Sequence, residues 1–211
     1  MAKMKLATRA IVALVTLSTL LISVHYASVR ADDFTNGAEQ FIVSLADDAT
    51  SSLTSETLTE KERQKKFRGL LNSYFDINGI GKWALGRYWR KTSKSERLEY
   101  LVLFENLIVS TYANRFNKYT KEKLTVKGSS SRGKFALVKS QINGGKEKPI
   151  RIEWRLTRPN VNYKIFDIVI EGVSMIRTQR SEFSSVIRRN GGKVSVLLAA
   201  LRKKTTKSNQ K

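Results

Sequence analysis

The sequence predicts an α+β fold with a helical half, a meander of four antiparallel strands and two closing helices. Apolar residues recur at helical spacing as far as residue 119 and alternate between residues 123 and 175. Turn-rich segments separate the alternating stretches, and such short connections join antiparallel neighbours. A length of 211 residues suits one domain with a substantial core.

The N-terminus has the pattern of a secretory signal peptide. A basic start precedes an apolar run over residues 10–24, and Val29 and Ala31 occupy the small-residue positions of a cleavage site. We expect residues 1–31 to be removed on export to the periplasm; the alternative is a retained membrane anchor. Removal takes four of 39 basic residues and none of 18 acidic ones, which leaves a net charge of +17.

The composition excludes much of enzyme chemistry. The chain has no cysteine, and its one histidine, His25, lies in the predicted signal peptide. A mature chain without either residue has no Ser-His or Cys-His nucleophile pair and no zinc site of the usual kind. Carboxylates remain, but their spacing singles out no catalytic pair. We therefore predict a protein that is not an enzyme and uses no metal and no cofactor.

Helix start signals divide the helical half. A first amphipathic helix covers residues 34–49, and Thr59 with Glu62 forms a capping box that opens the second. A glycine-punctuated stretch follows. Ser93 and Glu96 form another capping box, which opens a long helix reaching residue 119. This helix is apolar on more than one stripe, which predicts a central, buried position.

Alternation defines four strands and then gives way to two helices. The third strand is the clearest, because Ile152, Trp154 and Leu156 share one face while charged residues occupy the other. The strands are predicted at residues 123–128, 134–142, 148–157 and 162–175, and the closing helices at 180–190 and 194–204. We assign residues 32–204 to a single domain and residues 205–211 to a flexible basic tail.

The last predicted strand carries its smallest residues in the middle of an apolar face. Counting by twos places Phe166, Ile168, Ile170, Gly172, Ser174 and Ile176 together. Two interpretations remain open. The glycine marks a bulge or a close approach of a helix, or the hollow accommodates a ligand's chain.

Several motifs resemble the MlaC family, also called toluene-tolerance auxiliary proteins, which are periplasmic lipid carriers of Gram-negative bacteria. The motifs are the "LG.YW" turn at residues 85–89, the "ER..Y...F..L....YA" helix at residues 96–113, and "D...EGVSMI" at residues 167–176. The resemblance implies helices packed on one face of a curved four-stranded antiparallel sheet, enclosing a deep apolar pocket for lipid chains. It also implies exchange with an inner-membrane ABC lipid transporter complex and an outer-membrane lipoprotein complex, with phospholipid or a hopanoid-type lipid as cargo.

A set of apolar side chains is the candidate wall of this pocket. Arg177 and Arg180, just beyond the last strand, are candidates to meet a lipid headgroup. Three aromatic residues are candidates for the mouth of the pocket: Trp83, Tyr88 and Trp89. The predicted lipid-binding residues are Trp83, Tyr88, Phe104, Ile108, Tyr112, Phe116, Ile152, Trp154, Ile168, Ile170, Gly172 and Ser174.

The positive charge supports an alternative function, an exported cationic module that binds anionic membrane surfaces or polyanions. Basic residues cluster at 61–68, 87–97, 118–127 and 202–211. The export signal argues against nucleic acid as the partner. For the carrier we expect a monomer that makes transient membrane-surface contact.

Overall fold

A computed structural model describes residues 33–118, 123–143, 148–159 and 162–208. The predicted signal peptide lies outside these ranges, as does the junction at residues 31 and 32. Among the described residues no helix is long and apolar enough to cross a membrane.

Six helices are present in the described residues, and the α+β prediction is confirmed. Both predicted capping boxes are formed, because Thr59 and Ser93 accept hydrogen bonds from the backbones of Glu62 and Glu96. The helices are α1 (33–53), α2 (Glu60–Tyr74), α3 (Ile77–Leu85), α4 (Lys94–Tyr112), α5 (Met175–Arg189) and α6 (Val194–Ser208), with 3-10 segments at Gly86–Lys91 and Ala113–Lys118. Helix α6 therefore extends into the segment predicted as a flexible tail.

The strands form one antiparallel sheet in sequence order. Register shifts at Val126/Gly128 and at Arg155/Leu156 interrupt two of its ladders. Such bulges bend and twist a sheet, which agrees with the predicted curvature. The strands are β1 (Lys123–Arg132), β2 (Phe135–Asn143), β3 (Ile150–Thr157), β4 (Lys164–Ile170) and β5 (Val173–Ser174).

The fifth strand arises because the last predicted strand is broken. Strand β4 ends at Ile170, and Glu171 and Gly172 turn the chain with φ angles of 46° and 82°. Positive φ at both positions makes a tight hairpin whose twist matches that of its strands. Ser174 then pairs with Val169, which places it on the face opposite Ile170. The predicted common face through Gly172 and Ser174 is therefore wrong.

The buried apolar residues form two clusters. The first, which we call the helical core, joins α3, α4, α5 and α6 around Tyr100, Phe104 and Phe183. The second, the sheet core, joins α1 and the end of α2 to one face of β2, β3 and β4. Phe75 packs against both clusters. The fold thus has one interior made by helices alone and another made where a helix covers the sheet.

Helix α1 is held on the sheet by close contact with Tyr163. A Cβ atom at Gly37 would lie 2.7 Å from the Tyr163 hydroxyl oxygen, so the helix approaches through its glycine. The same hydroxyl donates a hydrogen bond to the carbonyl of Phe34 at 2.7 Å. Arg63 fastens the other end of α1, because its buried guanidinium donates to the carbonyl of Leu53. Position and orientation of α1 are therefore set at both ends.

The turn at Gly172 predicts opposite effects for two glycine substitutions. An added Cβ meets no atom within 4 Å at either Gly172 or Gly69, so sterics do not distinguish them. Gly172→Ala forces alanine to φ 82° and is expected to cost about 1 kcal/mol in the free energy of unfolding. Gly69→Ala lies in α2 and is expected to stabilise by up to about 1 kcal/mol. Urea unfolding measures the free energy of unfolding of both variants. Equal changes in the two variants would contradict the left-handed conformation of Gly172 in the turn.

Candidate functional site

The predicted pocket wall is divided between the two cores. Tyr88 and Phe104 are buried in the helical core, and Ile108 packs against it. Ile152 and Trp154 are buried in the sheet core, and Ile168 packs against it. The structure thus places these predicted wall residues in two clusters, because apolar periodicity marks burial without showing which neighbour covers the residue.

The remaining predicted residues are not among the buried members of either core. Phe116 contacts Phe67 with ring centroids 5.7 Å apart, and Tyr112 is more than one-third exposed beside Arg115. Gly172 is exposed in its turn. Ile170 ends β4 opposite Ile152.

Ser174 has a structural contact that explains its burial. Its hydroxyl donates to the Asp167 carboxylate at 2.7 Å and accepts a hydrogen bond from the backbone of Arg177, which caps α5. Asp167 also accepts from the backbone N–H of Ile176 at 3.1 Å and from Arg155 at 3.2 Å. The small side chain at position 174 therefore serves the helix start, and a hollow for a ligand is not required.

Arg180 and Trp83 contact each other. The Arg180 guanidinium lies 4.8 Å from the centroid of the Trp83 ring, a cation–π geometry. A Cβ at Gly86 would lie 2.8 Å from Arg180 Nε, so the glycine admits this arginine. Arg177 is exposed at the first turn of α5. The predicted headgroup arginines thus belong to the surface of the helical half.

The sheet face under α1 changes from covered to open along the strands. At one end the paired residues Ala136, Leu156 and Ile165 are fully buried beneath Ala38 and Ile42. Farther along the strands and on the edge strand β1, the same face carries apolar side chains that remain partly exposed. We call this set the open apolar row: Leu124, Val126, Ile142, Ile150 and Ile168. The row presents apolar surface that the chain's described helices only partly cover.

One polar contact lies within this face. The Trp154 indole N–H donates to the Ser140 hydroxyl at 2.8 Å, and both residues are less than one-tenth exposed. A buried indole N–H without an acceptor is costly, so Ser140 allows the large ring to be buried on this face. The alternating pattern predicted Trp154 as a site residue but not Ser140, although a small polar side chain in an apolar strand was the available signal.

A cleft of about 560 Å³ opens between α1 and α2. Apolar side chains of Phe41 and Leu70 line it, together with the polar pair Asp48 and Tyr74. The Tyr74 hydroxyl donates to Asp48 Oδ2 at 2.6 Å, and burial followed by this hydrogen bond raises the pKa of Tyr74 to about 12. Tyr74 is therefore neutral at physiological pH. No sequence motif joins residues 26 positions apart, so the cleft was not predicted.

The described residues group no three His, Cys, Asp or Glu side chains in a way that would hold a metal ion. The arrangement instead offers an apolar sheet face that α1 partly covers, and a cleft between α1 and α2. Such a site suits a ligand with long apolar chains.

Comparison with known proteins identifies the family. The fold matches the solved structure of a phospholipid-binding protein from Ralstonia solanacearum in complex with a phospholipid, with a TM-score of 0.71, 20% identity, and coverage of 81% of this chain and 97% of that one. The family model described as MlaC protein matches residues 43–203. The chain belongs to the MlaC family.

A curated MlaC relative shares part of the chain. The intermembrane phospholipid transport system binding protein MlaC of Haemophilus influenzae is 24% identical over 129 residues, which is 59% of this chain. The match spans 60% of the length of that relative.

The MlaC-like motifs have structural roles in this chain. In "D...EGVSMI", Asp167 binds the start of α5, and Glu171 accepts hydrogen bonds from the backbone and the guanidinium of Arg151 at 2.5 and 2.8 Å. These hydrogen bonds lower the pKa of the Glu171 carboxyl. In the "ER..Y" helix, Tyr100 donates to the carbonyl of Gly81 at 2.9 Å. These residues hold the hairpin and helices that surround the site.

The Trp154–Ser140 hydrogen bond predicts a measurable coupling. Ser140→Ala should destabilise the protein by about 1 to 3 kcal/mol, because the buried indole N–H loses its acceptor. In a Trp154→Phe background the same change should cost much less, since no donor remains. Urea unfolding of the four proteins measures the difference. Additive effects would show that Ser140 acts only through packing.

Proposed function

We propose that this MlaC-family protein is a periplasmic lipid carrier that holds the acyl chains of a phospholipid along the sheet face under α1. The observation that carries the proposal is the open apolar row, which continues the sheet core beyond the residues that α1 buries. Acyl chains lying on this row would complete its burial. The family membership and the phospholipid bound to the Ralstonia neighbour support the same class of cargo.

The cost of exposing lipid chains to water favours a binding site made of apolar surface over one made of polar contacts alone. Each CH₂ group of a lipid chain brought into water costs about 0.8 kcal/mol, or on the order of 10 kcal/mol for a long chain. Only extended apolar contact offsets a cost of that size. The row and the neighbouring sheet core supply such contact, whereas the predicted headgroup arginines lie on the helical half.

Phospholipid is the cargo that the comparisons favour, and a hopanoid-type lipid is the alternative. The proposed route runs between an inner-membrane ABC lipid transporter complex and an outer-membrane lipoprotein complex, and the carrier acts as a monomer. The relative from Haemophilus influenzae is named for an intermembrane phospholipid transport system. We propose a binding and transport role without enzyme activity.

Organic extraction of the purified protein, followed by mass spectrometry, tests the cargo. We expect about one phospholipid per protein. A polycyclic triterpenoid in place of phospholipid would change the cargo and keep the carrier. Repeated recovery of no lipid, together with reversible binding of polyanions, would favour the cationic binding module instead.

Substitution on the open apolar row tests the position of the chains. Val126→Asp places a carboxylate on the face that we assign to the lipid, and burying that charge costs several kcal/mol. We expect the lipid recovered per protein to fall more than about tenfold. Thr125→Asp is the matched control, because the neighbouring residue points to the opposite face of β1. Equal recovery from both variants would move the chains away from this face.

A further inference from the structure

Two large aliphatic residues are exposed side by side on α4. Leu98 and Val102 are 61% and 60% exposed, more than any other large apolar residue in the described ranges. Their spacing of four residues places them on the same side of the helix, one turn apart. Neither residue belongs to the helical core or to the sheet core.

Basic residues without acidic partners lie at the start of the same helix and just before it. Arg90 and Lys91 end the 3-10 segment before α4, and Lys94 lies one turn before Leu98. All three are exposed, and none forms an ion pair with a described residue. Arg97, in the same turn of α4, has its guanidinium 5.2 Å from the centroid of the Trp89 ring.

The acidic residues of α4 are occupied by other partners. Glu96 accepts hydrogen bonds from Ser93 in the capping box. Glu99 pairs with Arg202 at 2.5 Å, and Glu105 pairs with Arg68 at 2.6 Å. Glu96 keeps its negative charge in the cap, but it is the only carboxylate of α4 without an arginine partner. The three basic residues Arg90, Lys91 and Lys94 outnumber it, so the start of α4 is cationic on balance.

We propose that this surface, which we call the α4 docking face (Arg90, Lys91, Lys94, Leu98 and Val102), binds reversibly to an anionic membrane surface. Leu98 and Val102 enter the boundary between headgroups and acyl chains, while the cationic side chains meet lipid phosphates. The inference rests on the proposed function, because a carrier that exchanges lipid has to approach a bilayer. The inference identifies the α4 docking face as the surface that contacts the bilayer.

The chemistry of the face favours a bilayer over a protein partner. Lysine is depleted in protein–protein interfaces, where aromatic residues and arginine are enriched. The exposed members of the α4 docking face are two lysines, one arginine and two aliphatic residues, with no aromatic ring. Lysines beside inserted aliphatic side chains are typical of helices that lie at anionic membrane surfaces.

A single fluorescent label tests insertion directly, because the chain has no cysteine of its own. Val102→Cys is labelled with an environment-sensitive fluorophore, and Val173→Cys, at a valine that is 53% exposed on β5, is the matched control. The probe is vesicles of phosphatidylcholine with about one-third phosphatidylglycerol. We expect a blue shift for the label at position 102 and little or none at position 173. An equal response at both positions, or none at position 102, would overturn the proposal.

Charge reversal tests the electrostatic part. Lys91→Glu with Lys94→Glu is compared with Lys127→Glu and Lys139→Glu, which change the net charge equally on exposed positions of β1 and β2. We expect the first pair to weaken partitioning onto the same vesicles by about tenfold or more. The second pair should have a much smaller effect, and salt should weaken binding of the unaltered protein. Equal losses would show that net charge alone attracts the protein and would overturn the assignment to α4.

Measuring the bound lipid distinguishes a failure of the docking proposal from a failure of the proposed carrier function. Leu98→Ser with Val102→Ser removes apolar groups that are already exposed, so the fold should remain stable. We expect this variant to lose vesicle binding and to retain its bound phospholipid. Normal vesicle binding by this variant would overturn the docking proposal. If the variant also failed to bind a partner protein, the face would be a protein interface instead. Absence of lipid from the unaltered protein would contradict the carrier function whatever the vesicles show.

Discussion

The buried carboxylate of Asp167 ties the sheet to the start of α5 and so to the helical half. It is almost fully buried on β4 and accepts hydrogen bonds from Arg155 on β3, from Ser174 and from the backbone of Ile176. A carboxylate at a helix start satisfies unpaired N–H groups and interacts favourably with the helix dipole. Because this contact begins α5 immediately after β5, the helical core is built directly beside the sheet.

This arrangement separates two interiors with different roles. The helical core is closed around interlocked rings, with Phe183 packed edge-on against both Tyr100 and Phe104. The sheet core is closed only at one end, where α1 covers it, and its other end continues as the open apolar row. A closely packed helical half beside an incompletely covered sheet gives the protein both a filled core and apolar surface that a ligand can occupy. The lipid-carrier proposal follows from this difference between the two interiors.

The charged side chains of α4 differ in whether they have partners. On α4 each carboxylate is engaged by a cap or an ion pair, whereas the lysines near its start have no acidic partner among the described residues. Exposed ion pairs contribute little to stability, so unpaired lysines do not weaken the fold. Their field acts over about 10 Å at 0.1 M salt and affects association with anionic surfaces. The strongly basic composition is thus compatible with a stable domain and bears on what the protein approaches.

The sequence alone determined the α+β class, both capping boxes, the family resemblance and the residues that are apolar at regular spacing. These features depend on short-range periodicity and on side chains that bond to their own backbone within three residues. Only the tertiary structure decided where the last strand ends, because the positive φ of Glu171 is accompanied by hydrogen bonds to Arg151 on another strand. It also divided the predicted wall into two cores. Periodicity marks a side chain for burial, but the element that covers it comes from distant sequence, and that element decides whether the residue is sealed or left to contact a ligand.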